Sequence, residues 1–251
     1  MSELLERAKL TNIIDTVIEI DHRINVATGL RALVCNSEIR DSVEERDHIH
    51  RMVEKNPWLF GEQYSFGRSE TGLTNLLREH LRLMKRDVRI LEPVLQSGGR
   101  SGRIDMMLAK LVKVSGRTDD NHLVLELKRA NKRLSQKEYA HIFEYANAVV
   151  QNPKFDKTDV SWDFWLIGVE TDDGLNQLCH AADRPPGCAH IFHSHNAKIW
   201  VKTWAELLHD CLARHEYIRQ KLDLEIEEDE SVSYLQEMYM KVVRPGDEPT
   251  S

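Results

Sequence analysis

The chain has 251 residues, of which 41% are hydrophobic and 30% are charged, and its formal net charge is −7. This composition predicts a soluble globular protein and argues against a protein that coats nucleic acid through nonspecific positive charge. No apolar run approaches the length of a membrane span, and the N-terminus lacks the apolar core of a signal peptide. We therefore expect a cytoplasmic protein with no membrane association and, from four widely spaced cysteines without a C-x-x-C pair, reduced thiols.

The N-terminal region places apolar residues at three- and four-residue spacings from residue 3 to about residue 34. This spacing predicts an amphipathic helix, interrupted near Thr28 and Gly29. Its apolar stripe either packs on the same domain or docks a second copy or another protein, because the heptads are too few to predict a coiled coil. Both interpretations remain open at this point.

The rest of the chain predicts an alternation of helices and strands. A helix from about Asp41 to Glu54 ends before Asn56-Pro57, and three apolar residues after the proline form a buried plug. The further predicted elements are a helix over Leu73–Lys85, a strand over Asp87–Leu95, a helix over Ser135–Gln151 with Ser135 as its N-cap, a strand over Trp162–Thr171, a hairpin over Ile191–Thr203 with Trp200 inside, a helix over Trp204–Leu224 and a short helix over Tyr234–Val243.

Charged residues interrupt two apolar runs between Gly102 and Arg133. Asp105 lies in the first run, and Glu126 and Lys128 lie two residues apart in the second. In a strand these last two side chains share one face, and the opposite face carries Leu123, Leu125 and Leu127. Turn-forming residues between the runs predict an antiparallel hairpin, which would bring Asp105 near Glu126.

Two carboxylates a few ångströms apart repel each other unless a cation lies between them, and hard oxygen ligands suit Mg²⁺ or Mn²⁺. A lysine beside them can orient or deprotonate a metal-bound water, or offset the charge of a phosphate. The competing interpretation is that Glu126 and Lys128 form the solvated face of an edge hairpin, because E-x-K is a common sequence.

An Asp, twenty residues and Glu-x-Lys form the constellation of the PD-(D/E)xK nuclease superfamily, which this segment resembles, with Ile104-Asp105 in place of the usual Pro-Asp. Four segments, NPWLFG, RIDMML, VLELKR and WLIGVE, together resemble the C-terminal nuclease domain of the Shedu anti-phage defence proteins over roughly residues 46 to 220. The resemblance implies an α/β, restriction-endonuclease-like core, a mixed sheet flanked by helices in the order αβββαβ, with an N-terminal helical extension.

The resemblance also implies the metal site. Asp105 and Glu126, with the backbone carbonyl of Leu127, would hold Mg²⁺ or Mn²⁺. Lys128 would position the attacking hydroxide, and Glu62 would reach the metal through water.

Further site residues are expected on the helix after the lysine and beside the acids. His141 and Tyr145 lie four residues apart where related nucleases carry Gln-x-x-x-Tyr, so both would face the site, and Gln136 is a weaker contender. Basic residues flank the acids and are expected to bind DNA: Arg100, Arg103, Arg129, Lys132 and Arg133.

Three regions are expected: an N-terminal helical region (1–45), a nuclease domain (46–224) and an acidic, partly disordered tail (225–251) that could shield the basic residues from DNA. The expected function is Mg²⁺-dependent DNA cleavage in anti-phage defence by a homo-oligomer, a dimer or a tetramer, whose N-terminal helix is a possible docking site for other domains or a partner protein. The alternatives are RNA as substrate, or a catalytically silent nucleic-acid-binding or assembly domain of the same fold.

A second cluster of potential ligands spans residues 179 to 195 and contains two cysteines and four histidines. Structural zinc sites usually draw on pairs such as C-x-x-C or H-x-x-x-H, and neither occurs here. A loop followed by a strand with outward histidines is the favoured interpretation over a zinc site.

Overall fold

The computed structural model describes residues 10–36, 45–86, 89–90, 92–96, 99–110, 120–129, 131–193 and 195–239. The helices are α1 (Leu10–Cys35), α2 (Arg51–Lys55), α3 (Leu73–Leu83), α4 (Gln136–Gln151), α5 (Asp173–Cys179), α6 (Trp204–Leu222) and α7 (Glu228–Tyr239). A π-helical turn (Glu45–His50) leads into α2, and a 3₁₀ turn (Pro57–Phe60) follows it. The strands are β1 (Tyr64–Gly72), β2 (Arg103–Lys110), β3 (Asp120–Leu127), β4 (Arg133–Leu134), β5 (Val160–Gly168), β6 (Glu170–Thr171), β7 (Cys188–Phe192) and β8 (Ala197–Thr203).

Six of these strands form one mixed sheet in the order β1-β2-β3-β5-β8-β7. The pairs β1–β2, β2–β3 and β7–β8 are antiparallel, whereas β3–β5 and β5–β8 are parallel. Strands β4 and β6 form a separate two-stranded parallel ladder. The α/β class and the mixed sheet flanked by helices are therefore as predicted.

Helices cover both faces of the sheet, and each face has its own hydrophobic cluster. One cluster joins the sheet to α3, α4 and α5, which we call the α4 layer. The other joins it to α1, α2, the 3₁₀ turn, α6 and α7, which we call the α1 layer. Among the helices of the described residues, none combines the length and apolar character that a membrane span requires.

Strand β3 runs through the middle of the sheet, between β2 and β5. The predicted alternation is confirmed, because Leu123, Leu125 and Leu127 pack in the α1 layer and Val124 packs in the α4 layer. Glu126 has the parity of Val124 and is only 4% exposed. The solvated edge hairpin is therefore wrong: β3 is a central strand with both faces covered.

Helix α1 is continuous through Thr28 and Gly29, so the predicted interruption there is wrong. The glycine serves close packing, because a Cβ built on Gly29 would lie 2.4 Å from the backbone carbonyl oxygen of Ser231 in α7. Towards its N-terminal end α1 leaves the core, and Leu10, Ile14 and Ile18 are exposed. Residues 3–9, predicted to start this helix, lie outside the described residues.

The first strand of the sheet was missed by the sequence analysis. It is β1, an edge strand with one neighbour in the sheet, whose sequence YSFGRSETG lacks apolar alternation; among its described side chains only Arg68 and Glu70 are exposed. The strand predicted over Asp87–Leu95 is wrong for its described residues, 89–90 and 92–95, which have no strand conformation. This segment contains Pro93, which lacks the N–H of a strand ladder.

Several other predicted elements are confirmed within one to three residues. Helix α4 begins with a capping box in which Ser135 and Glu138 each bind the other's backbone N–H. The plug residues Trp58, Leu59 and Phe60 are buried, and β7 and β8 form the predicted hairpin. Trp200, expected inside, is half-buried, and its indole N–H donates to Asp163 over 2.8 Å.

The acidic segment differs from the expected tail, because its acids begin a helix. Helix α7 starts at Glu228 rather than near Tyr234 and packs against α1, and Glu228 forms an ion pair with Arg31. Leu235 and Tyr239 are buried in the α1 layer. Because these acids lie in α7 or just before it, deleting residues 225–251 to test shielding of the basic residues would also remove part of the α1 layer.

Two buried histidines meet in the α4 layer. The backbone N–H of Asp156 donates to Nε2 of His80 over 3.0 Å, so His80 carries its proton on Nδ1 and donates it to Nε2 of His122, also over 3.0 Å. Burial lowers the pKa of His80 to about 3 and the pKa of His122 to about 4. Both imidazoles are therefore neutral in the folded protein near neutral pH.

This pair predicts that stability falls in mild acid. The unfolded chain binds protons on these histidines near pH 6.5, whereas the folded chain does not until about pH 4 or below, so stability decreases as pH falls through this window. The expected slope is up to about 1.4 kcal/mol per pH unit for each histidine. Urea unfolding at pH 7.5, 6, 5 and 4.5 measures it.

A matched comparison separates this pair from the carboxylates, which also titrate in acid. His122→Gln should flatten the slope between pH 6.5 and 4.5, whereas His209→Gln, at an exposed position on α6, should leave it unchanged. Equal slopes in the parent and in His122→Gln would contradict the assignment.

Candidate functional site

The site lies where β2 begins and β3 ends. The register pairs Met106 with Leu125, and the same register continued by one residue places Asp105 opposite Glu126. The Asp105 carboxylate accepts a hydrogen bond of 2.6 Å from the backbone N–H of Leu127. The predicted proximity of the two acids is therefore supported by the pairing of their strands.

Glu126 is bound by two basic side chains in the α4 layer. Its Oε1 lies 2.5 Å from Nζ of Lys128 and 3.3 Å from Nδ1 of His141, so both basic groups contact one carboxylate oxygen. The Lys128 side chain is 20% exposed and the His141 side chain is 47% exposed. The site therefore opens to solvent on the side of His141.

The charges of these groups shift each other's pKa. Burial would raise the pKa of Glu126, but the hydrogen bond from His141 and the charge of Lys128 outweigh it and hold this pKa below its usual value. The hydrogen bond to Glu126 raises the pKa of His141 against the effect of burial, and the charge of Asp105 adds to the rise. Glu126 is therefore ionised, and Asp105 lies within electrostatic range of the imidazole.

Lys128 follows β3, and its backbone forms hydrogen bonds to β5 and to α6. Its backbone N–H donates to the carbonyl of Ile167 in β5 over 2.8 Å. Its carbonyl accepts from the indole N–H of Trp204, the first residue of α6, over 3.4 Å. The buried Trp204 thus connects the α1 layer to the backbone of the site.

His50 contacts the site, and the sequence analysis missed it. This buried histidine has its Nε2 3.0 Å from the backbone carbonyl oxygen of Asp105. It comes from the π-helical turn, 55 residues before Asp105. No spacing or motif connects the two residues, so only the tertiary structure reveals the contact.

Tyr145 lies one helical turn after His141 and is fully buried. Burial, and next the negative charge of Glu126, raise the pKa of Tyr145 well above its ordinary value. His141 therefore contacts Glu126 and reaches solvent, whereas Tyr145 is buried and is affected by the charge of Glu126.

Glu62 is engaged elsewhere. Its carboxylate forms an ion pair with Arg23 of α1 and lies 3.5 Å from Nε2 of His215 in α6. These partners belong to the α1 layer, whereas the side chains on Glu126 belong to the α4 layer. We therefore leave Glu62 out of the proposed site.

The basic residues expected to bind DNA are exposed, and several have acidic partners. Arg103 pairs with Glu70, Lys132 lies 3.3 Å from a carboxylate oxygen of Glu138, and Arg133 lies 3.9 Å from one of Asp173. Arg100 and Arg129 are also exposed. The surface beside the site is thus a mixture of basic groups and their counter-ions.

No group of three or more His, Cys, Asp and Glu side chains within the described residues is placed to hold a metal ion. In the region of residues 179 to 195, Cys179 and Cys188 are buried free thiols, and the Cys188 thiol lies 3.5 Å from the carbonyl of His190. A cation at Asp105 and Glu126 would therefore take its remaining ligands from backbone, substrate or water oxygens.

Comparison with protein-family models, with curated proteins and with solved structures finds no match to this chain. The interpretation of the site consequently depends on its own geometry.

Proposed function

We propose that this chain is a divalent-cation-dependent nuclease that hydrolyses DNA phosphodiesters. The proposal depends mainly on one observation: a nearly fully buried glutamate in the central strand lies between Lys128 and His141 and opposite Asp105. Burying a carboxylate is costly unless it is paired, and such buried charge clusters are concentrated at functional sites. The resemblance of the segments around these residues to Shedu nuclease domains supports the same proposal.

The donor set fits Mg²⁺ or Mn²⁺. Two carboxylates on adjacent antiparallel strands, with the carbonyl of Leu127 between the second acid and the lysine, supply hard oxygen ligands. A cation of this kind would supply Lewis-acid activation of the phosphate and of the attacking water. Asp105 and Glu126 are the residues that would hold it.

The remaining side chains have separate roles in this proposal. Lys128 adds positive charge beside the acids and offsets the charge of the scissile phosphate. His141, at the open side of the site, exchanges protons with substrate or solvent. The basic residues around the strand ends contact the DNA backbone, which would make binding weaken with salt.

A second candidate function is a binding or assembly domain without chemistry. The observation that favours it is the contact of Lys128 and His141 with the same oxygen of Glu126, because the charge of Lys128 already offsets that of the carboxylate. A site of this kind needs no divalent cation to satisfy its charge.

Cation binding and cleavage together separate the two functions. Calorimetry with Mn²⁺ is expected to show binding that is lost in Asp105→Asn, and supercoiled plasmid DNA is expected to be cut in Mg²⁺ or Mn²⁺ but not in EDTA. Single-stranded DNA and RNA substrates in parallel determine the substrate class. Nucleic-acid binding without Mn²⁺ binding and without cleavage would favour the second candidate.

Lys128→Met is expected to separate binding from chemistry. Removing the ammonium group from Glu126 leaves that carboxylate more available, so Mn²⁺ should bind at least as tightly as in the parent. Cleavage should nevertheless slow by about a hundredfold or more, because a charge aimed at the phosphate is lost. Lys137→Met, at an exposed position in the first turn of α4, is the control. Unchanged cleavage in Lys128→Met would remove this lysine from the mechanism.

A further inference from the structure

Two buried polar groups beside Gly102 have no hydrogen-bond partner among the described residues. They are the side-chain amide nitrogen of Gln96 and the hydroxyl of Tyr145. Gln96 is 6% exposed and Tyr145 is fully buried. Buried polar groups in folded proteins are almost always hydrogen-bonded to protein or to ordered water, so such a pair calls for a ligand.

The two side chains meet at Gly102, the residue just before β2. A Cβ built on Gly102 would lie 2.5 Å from Nε2 of Gln96 and 3.0 Å from Cδ2 of Tyr145. The glycine therefore allows the amide and the phenol ring to approach each other from two sides of one backbone position.

The position of Gln96 is fixed by its backbone. Its N–H donates to the carbonyl of Arg100 over 2.9 Å, and its carbonyl accepts from the N–H of Gly99 over 3.0 Å. These bonds fix the backbone from which the Gln96 side chain reaches the Tyr145 ring at Gly102.

The ligand must be small and must accept hydrogen bonds. The amide group is a donor, and the phenol, whose ordinary pKa is about 10, carries a hydroxyl proton that it can donate. Both polar atoms are shielded from solvent, which excludes a bulky group. A water molecule accepts two hydrogen bonds and keeps two protons to donate, which suits a position beside a carboxylate.

We infer that Gln96 and Tyr145 together bind one ordered water molecule beside Glu126, and that this water positions the Glu126 carboxylate. Gln96 and Tyr145 are thus positioning residues that act through Glu126. The consequence for cation binding depends on the proposed function, whereas the water site itself does not.

A double-mutant cycle on the melting temperature tests the water site without any assay of activity. Gln96→Met and Tyr145→Phe each remove one donor and nearly preserve volume. Each is expected to lower Tm by about 2–4 °C, because it leaves the water with one bond fewer. The double variant is expected to lower Tm by clearly less than the sum, because both changes act on the same ligand.

The matched control is Trp165→Phe. The indole nitrogen of Trp165 is also buried and also has no partner within the described part of the chain, but its side chain packs in the α1 layer. Its effect should therefore add to that of Tyr145→Phe. A rise of Tm in either single variant, or additive losses in the Gln96 and Tyr145 cycle, would overturn the inference.

Mn²⁺ binding tests the positioning role. Each single variant is expected to weaken Mn²⁺ binding by about tenfold, the usual effect of losing a group that orients a metal ligand, and the double variant by little more. If the two substitutions have non-additive effects on Tm but the parent protein binds no Mn²⁺, the water site is supported and the proposed function is overturned.

Unchanged Mn²⁺ binding in the two variants tests the positioning role separately from the proposed function. Parent-like Mn²⁺ affinity in both variants, with cleavage active in the parent, would overturn the positioning role alone. A coupling between Gln96 and Tyr145 that occurs only after inorganic phosphate or DNA is added would assign the bound oxygen to a phosphate and overturn the water.

Discussion

Replacing Glu126 with glutamine is expected to lower the rate of Mg²⁺-dependent DNA cleavage by about a thousandfold or more. The amide has nearly the same size as the carboxylate but carries no charge, so it neither holds a divalent cation nor pairs with Lys128 and His141. Single-turnover cleavage of supercoiled plasmid at saturating Mg²⁺ measures the effect, because product release then does not limit the rate.

The control for this change is Glu144→Gln, which removes an exposed acid from the same helix that carries His141. It should cut DNA like the parent. Because Glu126 is buried, circular dichroism melts must accompany the kinetics, and Asp105→Asn, at a half-buried position, supplies a second folded variant with the same expected loss. Parent-like cleavage by folded Glu126→Gln would show that this acid takes no part in the chemistry.

Gly29→Ala is expected to destabilise the protein by about 1–3 kcal/mol. The added methyl group would lie 2.4 Å from the backbone carbonyl oxygen of Ser231, and a backbone atom cannot rotate away as a side-chain end can. Helices α1 and α7 must separate locally, and the packing of Leu235 between them loosens. Urea unfolding, followed by circular dichroism at pH 7.5, measures the loss.

Gly174→Ala is the matched control, because the new methyl group in α5 would meet only a carboxylate oxygen of Asp172 at 3.7 Å. Alanine is also the better helix former, so this variant should be as stable as the parent or slightly more stable. If Gly29→Ala were as stable as Gly174→Ala, α1 and α7 would not be packed at the described distance.

The central part of the fold was predictable because its signals are local. Alternation in β3 separates the leucines from Glu126 and Lys128, and the Ser135 cap marks where α4 begins, so both were assigned correctly. The antiparallel pairing of β2 and β3 followed from the turn residues between them. In each case neighbours within a few positions determine the conformation.

The errors occur where distant contacts override local patterns. Gly29 would weaken an isolated helix, yet α1 continues through it because α7 packs closely there. Strand β1 is polar because it lies at the edge of the sheet, so it carries no apolar pattern that a sequence analysis could detect. The Asp87–Leu95 segment showed the opposite error, because it follows an apolar pattern but its described residues have no strand conformation.

The same distinction applies to the site. Asp105, Glu126 and Lys128 were found from one hairpin, and His141 and Tyr145 from one helical turn, because these spacings are short. His50 and Gln96 belong to other segments and contribute through a backbone carbonyl contact and a buried amide. Neither contact leaves a signal in the order of residues.

The contact between α1 and α7 also has a consequence for biosynthesis. During translation α1 is synthesised before the sheet and α7 after it. The half of α1 that is buried in the folded protein therefore lacks its contact with α7 until the whole sheet has been synthesised. A nascent chain that stops before α7 leaves Leu30 and Leu33, which are fully buried in the finished protein, without part of their cover. Chaperones and proteases bind apolar surface of this kind, so a chain that ends before α7 is expected to be recognised by them more readily than one that includes it.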